Sequence, residues 1–273
     1  MSSLPNWALG LLVLLAFVLI GFMHMGPVLQ PAMTDVIQLA AESQEFEPGF
    51  YGTSVAQTRT GEFLWGRLEN ADFPLHYHGQ NEIIYTLQGA VTMKFVDGTS
   101  NTIGPGQLVI VPVGEALGAS GSGDLLLFTT PPENESDTVW LEGPMAKPGA
   151  KAPSMDKPEA MDVAQRIAQG LEQKREGFHY TFAAQWKSGS VELFRVDKGV
   201  ALHKHAKENH VLYILKGHGR GTIGDKSAEV GPGQVIVIPA NVPHKLERIG
   251  DEPLDCILFS TPPFKPEDMV WLK

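Results

Sequence analysis

Nine histidines occur in the 273-residue chain, and four of them stand at spacings that could build one metal site. The pattern is His203-x-His205-x4-His210-x6-Gly217, followed by Gly233-x5-Pro239-x-Asn241-x2-His244. In a β-strand, residues two apart face the same side, so His203 and His205 form a ready bidentate pair. His210 follows after a turn, at the start of the next apolar run, and His244 comes after the strand led in by Gly231-Pro232-Gly233-Gln234. Four imidazoles from three segments could converge on one first-row divalent metal at about 2.0 to 2.2 Å. Glu208 is close enough in sequence to be an alternative ligand, but its parity and its distance to Gly217 favour His210. A second, weaker set is His76, His78 and Glu82. His179 and His218 match no ligand position and read as ordinary surface or turn residues.

These residues sit inside an internal repeat, which organises the chain. Leu75-His76-Tyr77-His78 recurs as Leu202-His203-Lys204-His205, and the run Gly104 to Pro112 recurs as Gly231 to Pro239. Leu127-Phe128-Thr129-Thr130-Pro131-Pro132 returns as Leu258-Phe259-Ser260-Thr261-Pro262-Pro263, followed at equal distance by Val139-Trp140-Leu141 and Val270-Trp271-Leu272. Within each copy, β-branched and aromatic runs, Glu82 to Leu87 and Val211 to Leu215, stop at Gln88-Gly89 and Lys216-Gly217 as hairpin turns demand. Gly-Pro-Gly-Gln before the next strand suits a type II turn, with proline fixing φ and glycine accepting a positive one. Short strands with turns at this spacing close into a barrel or sandwich. Residues 143–158, rich in Pro, Ala and Lys, read as a linker, followed by a short helix capped by Asp162 and carrying Val163, Ile167 and Leu171 on one face.

On these two motifs the chain resembles the cupin superfamily, and its duplication looks like a bicupin. The resemblance implies an all-β fold, two tandem jelly-roll (double-stranded β-helix) barrels, with a first domain at 45–142, a linker with a short helix at 143–176 and a second domain at 177–273. It also implies metal ligands at H-x-H, at a Glu three or four residues on, and at the His closing the G-x5-P-x-G-x2-H motif. In the first copy His76, His78 and Glu82 match, but Leu117 stands where the fourth ligand should be. The second copy keeps His244, has His210 in the glutamate position and Asn241 for the usual Gly. Replacing a carboxylate by neutral imidazole leaves a bound Fe, Mn, Ni, Cu or Zn ion its full +2 charge, which favours a small anionic or chelating ligand.

Residues 7–25 contain no charged side chain and, at 1.5 Å per residue, reach about 28 Å, close to the roughly 30 Å hydrocarbon core of a bilayer. The fold class read from the chain is therefore two β-barrels preceded by one transmembrane α-helix, with residues 1–34 as the anchor. The run is too long, and its flanks too poor in basic and small residues, for a cleaved signal peptide. No Lys or Arg precedes Arg59, so the bulk of the chain is expected on the periplasmic or extracytoplasmic side. A net charge of −10 argues against a phosphate-backbone partner, since nucleic-acid binding needs a basic face, and no nucleic acid is expected. Cys256, the single cysteine, lies in an apolar run and reads as buried strand.

Function is open between classes at this stage. The favoured expectation is a membrane-anchored metal-binding module serving as an accessory or binding unit, or a structural subunit, docked in a larger membrane complex. Gly10, Ala16 and Gly21 give the anchor a weak set of small residues for helix contact. The alternative is a metal-dependent enzyme, an oxygenase, isomerase or decarboxylase acting on a small polar substrate, because six-coordinate Fe, Mn or Ni would retain two open positions. Four imidazoles around tetrahedral Zn would instead be a closed structural site. Arg195, Tyr180 and Arg220 are weak candidates for polar wall groups, and no catalytic acid or base is evident.

Overall fold

The computed structural model describes residues 29–154 and 157–272. The candidate membrane segment at 7–25 lies outside the described residues, and among the described ones no helix is long and apolar enough to cross a membrane. The described chain is all-β apart from two six-residue helices and two 3-10 turns.

In the first repeat three long strands, Glu62–Tyr77, Asn81–Phe95 and Ala116–Thr130, form the centre of a nine-stranded sheet that curls into a barrel. In the second repeat the equivalent strands are broken in two, giving a seven-stranded sheet and a five-stranded sheet. Asn209–Lys216 and Leu254–Thr261 belong to the larger sheet, while Gly199–His205 and His244–Ile249 belong to the smaller one. One expectation needs correction here. The run Glu82 to Leu87 does not end in a hairpin at Gln88-Gly89, but continues through a register shift between Thr86 and Gln88. Gly89 sits there at φ 77°, where an added Cβ would collide with the Ser122 carbonyl, so glycine bends the strand instead of ending it.

The Gly-Pro-Gly-Gln turns form as read. Gly106 and Gly233 adopt φ of 83° and 86°. The Gln side chains close the turns, Gln107 Oε1 accepting from the Gly104 N–H and Gln234 Oε1 from the Gly231 N–H, each at 2.8 Å.

Leu254–Thr261 is buried along its whole length, because the two faces of the strand serve different cores. Leu254, Cys256 and Leu258 point into the second barrel, while Ile257 and Phe259 point towards the first. The contact between barrels is itself a core, containing Phe63, Tyr85 and Phe128 from one repeat and Val191, Tyr213 and Phe259 from the other. Tyr85 and Tyr213, counterparts in the repeat, meet with ring centroids 5.6 Å apart.

The barrels also exchange segments. Ala32–Asp35, ahead of the first repeat, pairs antiparallel with Gln234–Ile238 of the second. Ala160–Asp162, ahead of the second repeat, pairs with Gln107–Val111 of the first. Each strand runs into a short helix, Val36–Ala41 or Val163–Ala168, N-capped by Asp35 or Asp162. The stretch read as a linker therefore contributes a strand, and its helix ends at Ala168, before Leu171. Leu39, Val163 and Ile167 are buried in the core between the barrels.

Candidate metal centre

His203 and His205 lie two apart at the end of Gly199–His205, so strand alternation turns both imidazoles into the second barrel. Antiparallel register places His244 directly opposite His203, with ring centroids 4.1 Å apart. His210, second residue of Asn209–Lys216, comes from the other sheet and stands 4.0 Å from His205, ring to ring. All four are at most 5% exposed. The structure thus brings together the four histidines singled out in the second repeat, two sheets contributing to one cluster.

Their tautomers are set by the chain around them. Nδ1 of His203 donates to the Ala201 carbonyl at 2.8 Å, and Nδ1 of His244 to the Val242 carbonyl at 2.9 Å. Each ring is left with its Nε2 lone pair available. Burial depresses the pKa of both, to about 4 for His203 and about 2 for His244, and holds His210 well below the usual histidine value. Neutral imidazoles with fixed orientation are the form that binds a metal.

Glu208, set aside above in favour of His210, is brought in as well. It is 2% exposed, and its Oε2 lies 3.1 Å from both His205 Nδ1 and His210 Nε2. Its Oε1 accepts the Lys265 N–H at 2.6 Å, and Asp268 Oδ2 accepts its main-chain N–H at 3.1 Å. His205 Nδ1, though near this carboxylate, makes no hydrogen bond of proper geometry among the described residues. Two overlapping triads result, His203/His205/His244 and His205/Glu208/His210, each with its donor atoms within 4.8 Å of one another. Buried imidazoles and a carboxylate converging in this way make a donor set that fits a divalent cation.

Two asparagines that sequence reasoning passed over hold this geometry. Asn209 donates to the Thr261 carbonyl and accepts from the Ala240 N–H, at 3.1 and 3.0 Å. Asn81 does the same in the first barrel with Thr130 and Val113, at 2.9 and 3.2 Å. Their signal was an Asn immediately before Glu82 and His210. The match also shows that His210 corresponds to Glu82, with one extra residue in the second barrel's turn.

In the first barrel His76 is paired in register with Leu117, as His203 is with His244. An isobutyl group therefore fills the fourth ligand's place. His76 Nδ1 donates to the Pro74 carbonyl at 2.7 Å, and His78 Nδ1 meets Thr138 Oγ1 at 3.1 Å. Among the described residues, both groups of three metal-capable side chains are in the second barrel, and His76, His78 and Glu82 form none.

The histidines line a cavity of about 50 Å³ together with Phe178, Phe194, Leu212, Leu258, Phe264 and Lys245 among others. The expected polar wall groups do not line it. Arg195 is held in a bidentate pair with Asp255 at 2.6 and 2.8 Å, Arg220 pairs with Glu229 on the exposed side, and Tyr180 packs edge-on against Phe264. His179 pairs with Asp197 at the surface, and His218 is exposed.

A cupin-domain profile matches residues 66–124 and 191–260. Among curated relatives, an uncharacterised protein of Methanocaldococcus jannaschii is 43% identical over 67 residues, 24% of this chain and 54% of that protein. An uncharacterised Streptomyces coelicolor protein is 30% identical over 74 residues, 27% of this chain and 70% of its own length. The chain thus spans about half the length of the first and somewhat more of the second. Among solved structures, a Leptotrichia buccalis cupin 2 conserved barrel domain protein superposes with a TM-score of 0.61 at 14% identity, over 84% of this chain and 96% of its own. Bacillus subtilis oxalate decarboxylase, whose Mn(II) centres have been characterised, gives 0.55 at 19% identity, over 90% and 80%. The formate complex of Lactobacillus farciminis oxalate decarboxylase gives 0.55 at 18%, over 90% of both chains. At these identities the likeness carries the fold alone, and with the two profile matches it establishes that the chain belongs to the cupin superfamily as an all-β bicupin.

Proposed function

We propose that this chain is a metal-dependent cupin enzyme whose single working site is in the second barrel, acting on a small carboxylate or similarly small oxygen-bearing molecule. The observation that carries this reading is the cluster of four buried imidazoles lining a largely apolar cavity, with Glu208 beside them. A bound Mn or Fe ion would supply a Lewis acid that polarises a coordinated oxygen. His203, His205, His210 and His244 would hold it, with Glu208 either as a further ligand or as the carboxylate that orients His205 and His210.

The cavity limits the substrate. At about 10 to 15 Å³ for each water-sized occupant, 50 Å³ accommodates about three to five non-hydrogen atoms. The walls are largely apolar, and Lys245, the lysine among the lining residues, is paired with Glu247 at 2.8 Å, so recognition falls on the metal and on polar groups within reach of it. The oxalate decarboxylase neighbours, one in complex with formate, are consistent with a substrate of this size. This favours the enzyme reading over a non-catalytic accessory module, for which a closed site without a cavity would suffice.

We also propose that residues 7–25 anchor the chain in a membrane, with the barrels on the extracytoplasmic side. The support is the uncharged apolar run and the lack of flanking basic residues.

The test is turnover. Full-length protein loaded with Mn(II) or Fe(II) is incubated with oxalate, formate and other carboxylates of two to four carbons, with CO2 release and O2 uptake followed. Turnover of at least one, lost in His244→Ala, is the expected result. Metal-loaded protein inert to the whole panel, with a spectroscopically closed tetrahedral site, would overturn the enzyme reading in favour of the accessory one.

A further inference from the structure

Behind the histidine cluster, the wall of the second barrel carries a carboxyl group that no fold requirement explains. Glu192 is in Ser190–Val196 and is fully buried. Strand alternation puts it on the same inward face as Phe194, which lines the cavity. Its cross-strand partner, Leu258, lines the cavity too. Next to Leu258 along that face is Ser260, which lies opposite His210 in the register and donates its hydroxyl to Glu192 Oε2 at 3.1 Å. The other carboxyl oxygen, Oε1, has no hydrogen-bond partner among the described residues.

Comparison of the barrels isolates the anomaly. Glu192 pairs with Leu258, and in the first barrel Leu64 pairs with Leu127, the repeat counterpart of Leu258. Leu64 is thus the counterpart of Glu192, and it is buried in the first barrel's apolar core. The fold accepts leucine there. The carboxyl occurs in the barrel that has His244 and is replaced by leucine in the barrel that has Leu117. Isolated from solvent, it is pushed up to a pKa of about 8 by burial, Ser190 and Ser260 offsetting this only in part. A half-satisfied buried acid is unfavourable to the fold, which suits a group retained for what it does to a ligand.

We propose that Glu192 is a further functional residue of this site, the carboxyl group that hydrogen-bonds, and exchanges a proton with, the small oxygen-bearing molecule taken up beside the histidines. Oε2 is fixed by Ser260, and the unpaired Oε1 belongs to a side chain on the same strand face as the cavity-lining Phe194 and opposite the cavity-lining Leu258. Ser190, which accepts the Phe264 main-chain N–H at 2.8 Å, ties the same network to a cavity-lining ring. Glu192 would distinguish a ligand with a hydrogen-bond acceptor beyond the metal-bound oxygen from one without. This assignment rests on the metal-site reading above.

The experiment uses the full-length chain loaded with Co(II), titrated with formate and followed by visible absorption, beside thermal unfolding and metal analysis. Glu192→Leu copies the first barrel, and Glu192→Gln keeps a donor without an exchangeable acid proton. Expected for Glu192→Leu are an unchanged metal content, a higher thermal midpoint and formate affinity weakened at least tenfold; Glu192→Gln recovers part of the affinity. Formate binding that is unaffected in Glu192→Leu, or absent in metal-loaded wild type, overturns the inference while leaving the metal site standing. So does a lowered thermal midpoint in Glu192→Leu, which would make the residue structural. Wild-type protein that takes up no metal overturns the underlying reading instead.

Discussion

Asn241 occupies, at φ 65°, the backbone position where the first barrel has Gly114 at φ 81°. Asparagine tolerates this left-handed conformation better than most residues. Its N–H donates to the His205 carbonyl at 2.7 Å, as the Gly114 N–H does to the His78 carbonyl at 3.0 Å, and its side chain adds a bond to the Ala206 carbonyl at 2.9 Å. The departure from the usual glycine therefore tightens the turn that follows the paired histidines. His203 makes a different demand. Burial lowers its pKa from 6.5 to about 4, so between those values the unfolded chain binds more protons than the folded one. The metal-free protein keeps the full contribution above pH 6.5 and loses it as pH falls towards 4, on the order of 3 kcal/mol from this residue. Urea unfolding of EDTA-treated protein at pH 7.5 and 4.5 should show a lower midpoint in acid, less so in His203→Gln. Equal midpoints would mean the cluster is not buried as described.

At the scale of elements, the histidines, the repeat and the turns were legible because each depends on local chemistry: parity along a strand, a proline-glycine pair, a cap. Glu208 was not, because counting parity fails in a turn, and the extra residue between His205 and Asn209 moves a carboxylate into the cluster. The exchange of segments was hidden for another reason, since periodicity identifies a strand but not its partner. A signal existed, for Ala32-Met33-Thr34-Asp35-Val36 resembles Ala160-Met161-Asp162-Val163 with one residue deleted. The exchange has a consequence for truncation. A chain beginning at residue 29 keeps the strand Ala32–Asp35, whereas one beginning at 42 exposes the edge of Gln234–Ile238 and removes Leu39 from the core. The shorter chain should melt at least several degrees lower and aggregate more readily. Identical melting curves would show that the exchanged segment is dispensable.

For the whole molecule, the core between the barrels makes them one unit. The Phe259 ring lies 5.1 Å from Phe63 and 5.3 Å from Phe128, both across the boundary. Phe259→Ala should cost about 3 to 5 kcal/mol and lower the unfolding midpoint of the whole chain in one transition. Two separate transitions, the first barrel's unmoved, would contradict that. The proposed anchor is tested at this scale too: full-length protein should remain with membranes after alkaline washing, while a chain starting at residue 29 should be released.

The central claim is that a single metal site exists and that the second barrel forms it. Metal analysis of purified full-length protein, wild type beside His244→Ala and His76→Ala, tests it most directly. About one transition-metal ion per chain is predicted for wild type and for His76→Ala, with a sharp drop in His244→Ala through loss of a ligand. Wild-type protein without transition metal, or metal that survives His244→Ala and is lost in His76→Ala, would contradict it.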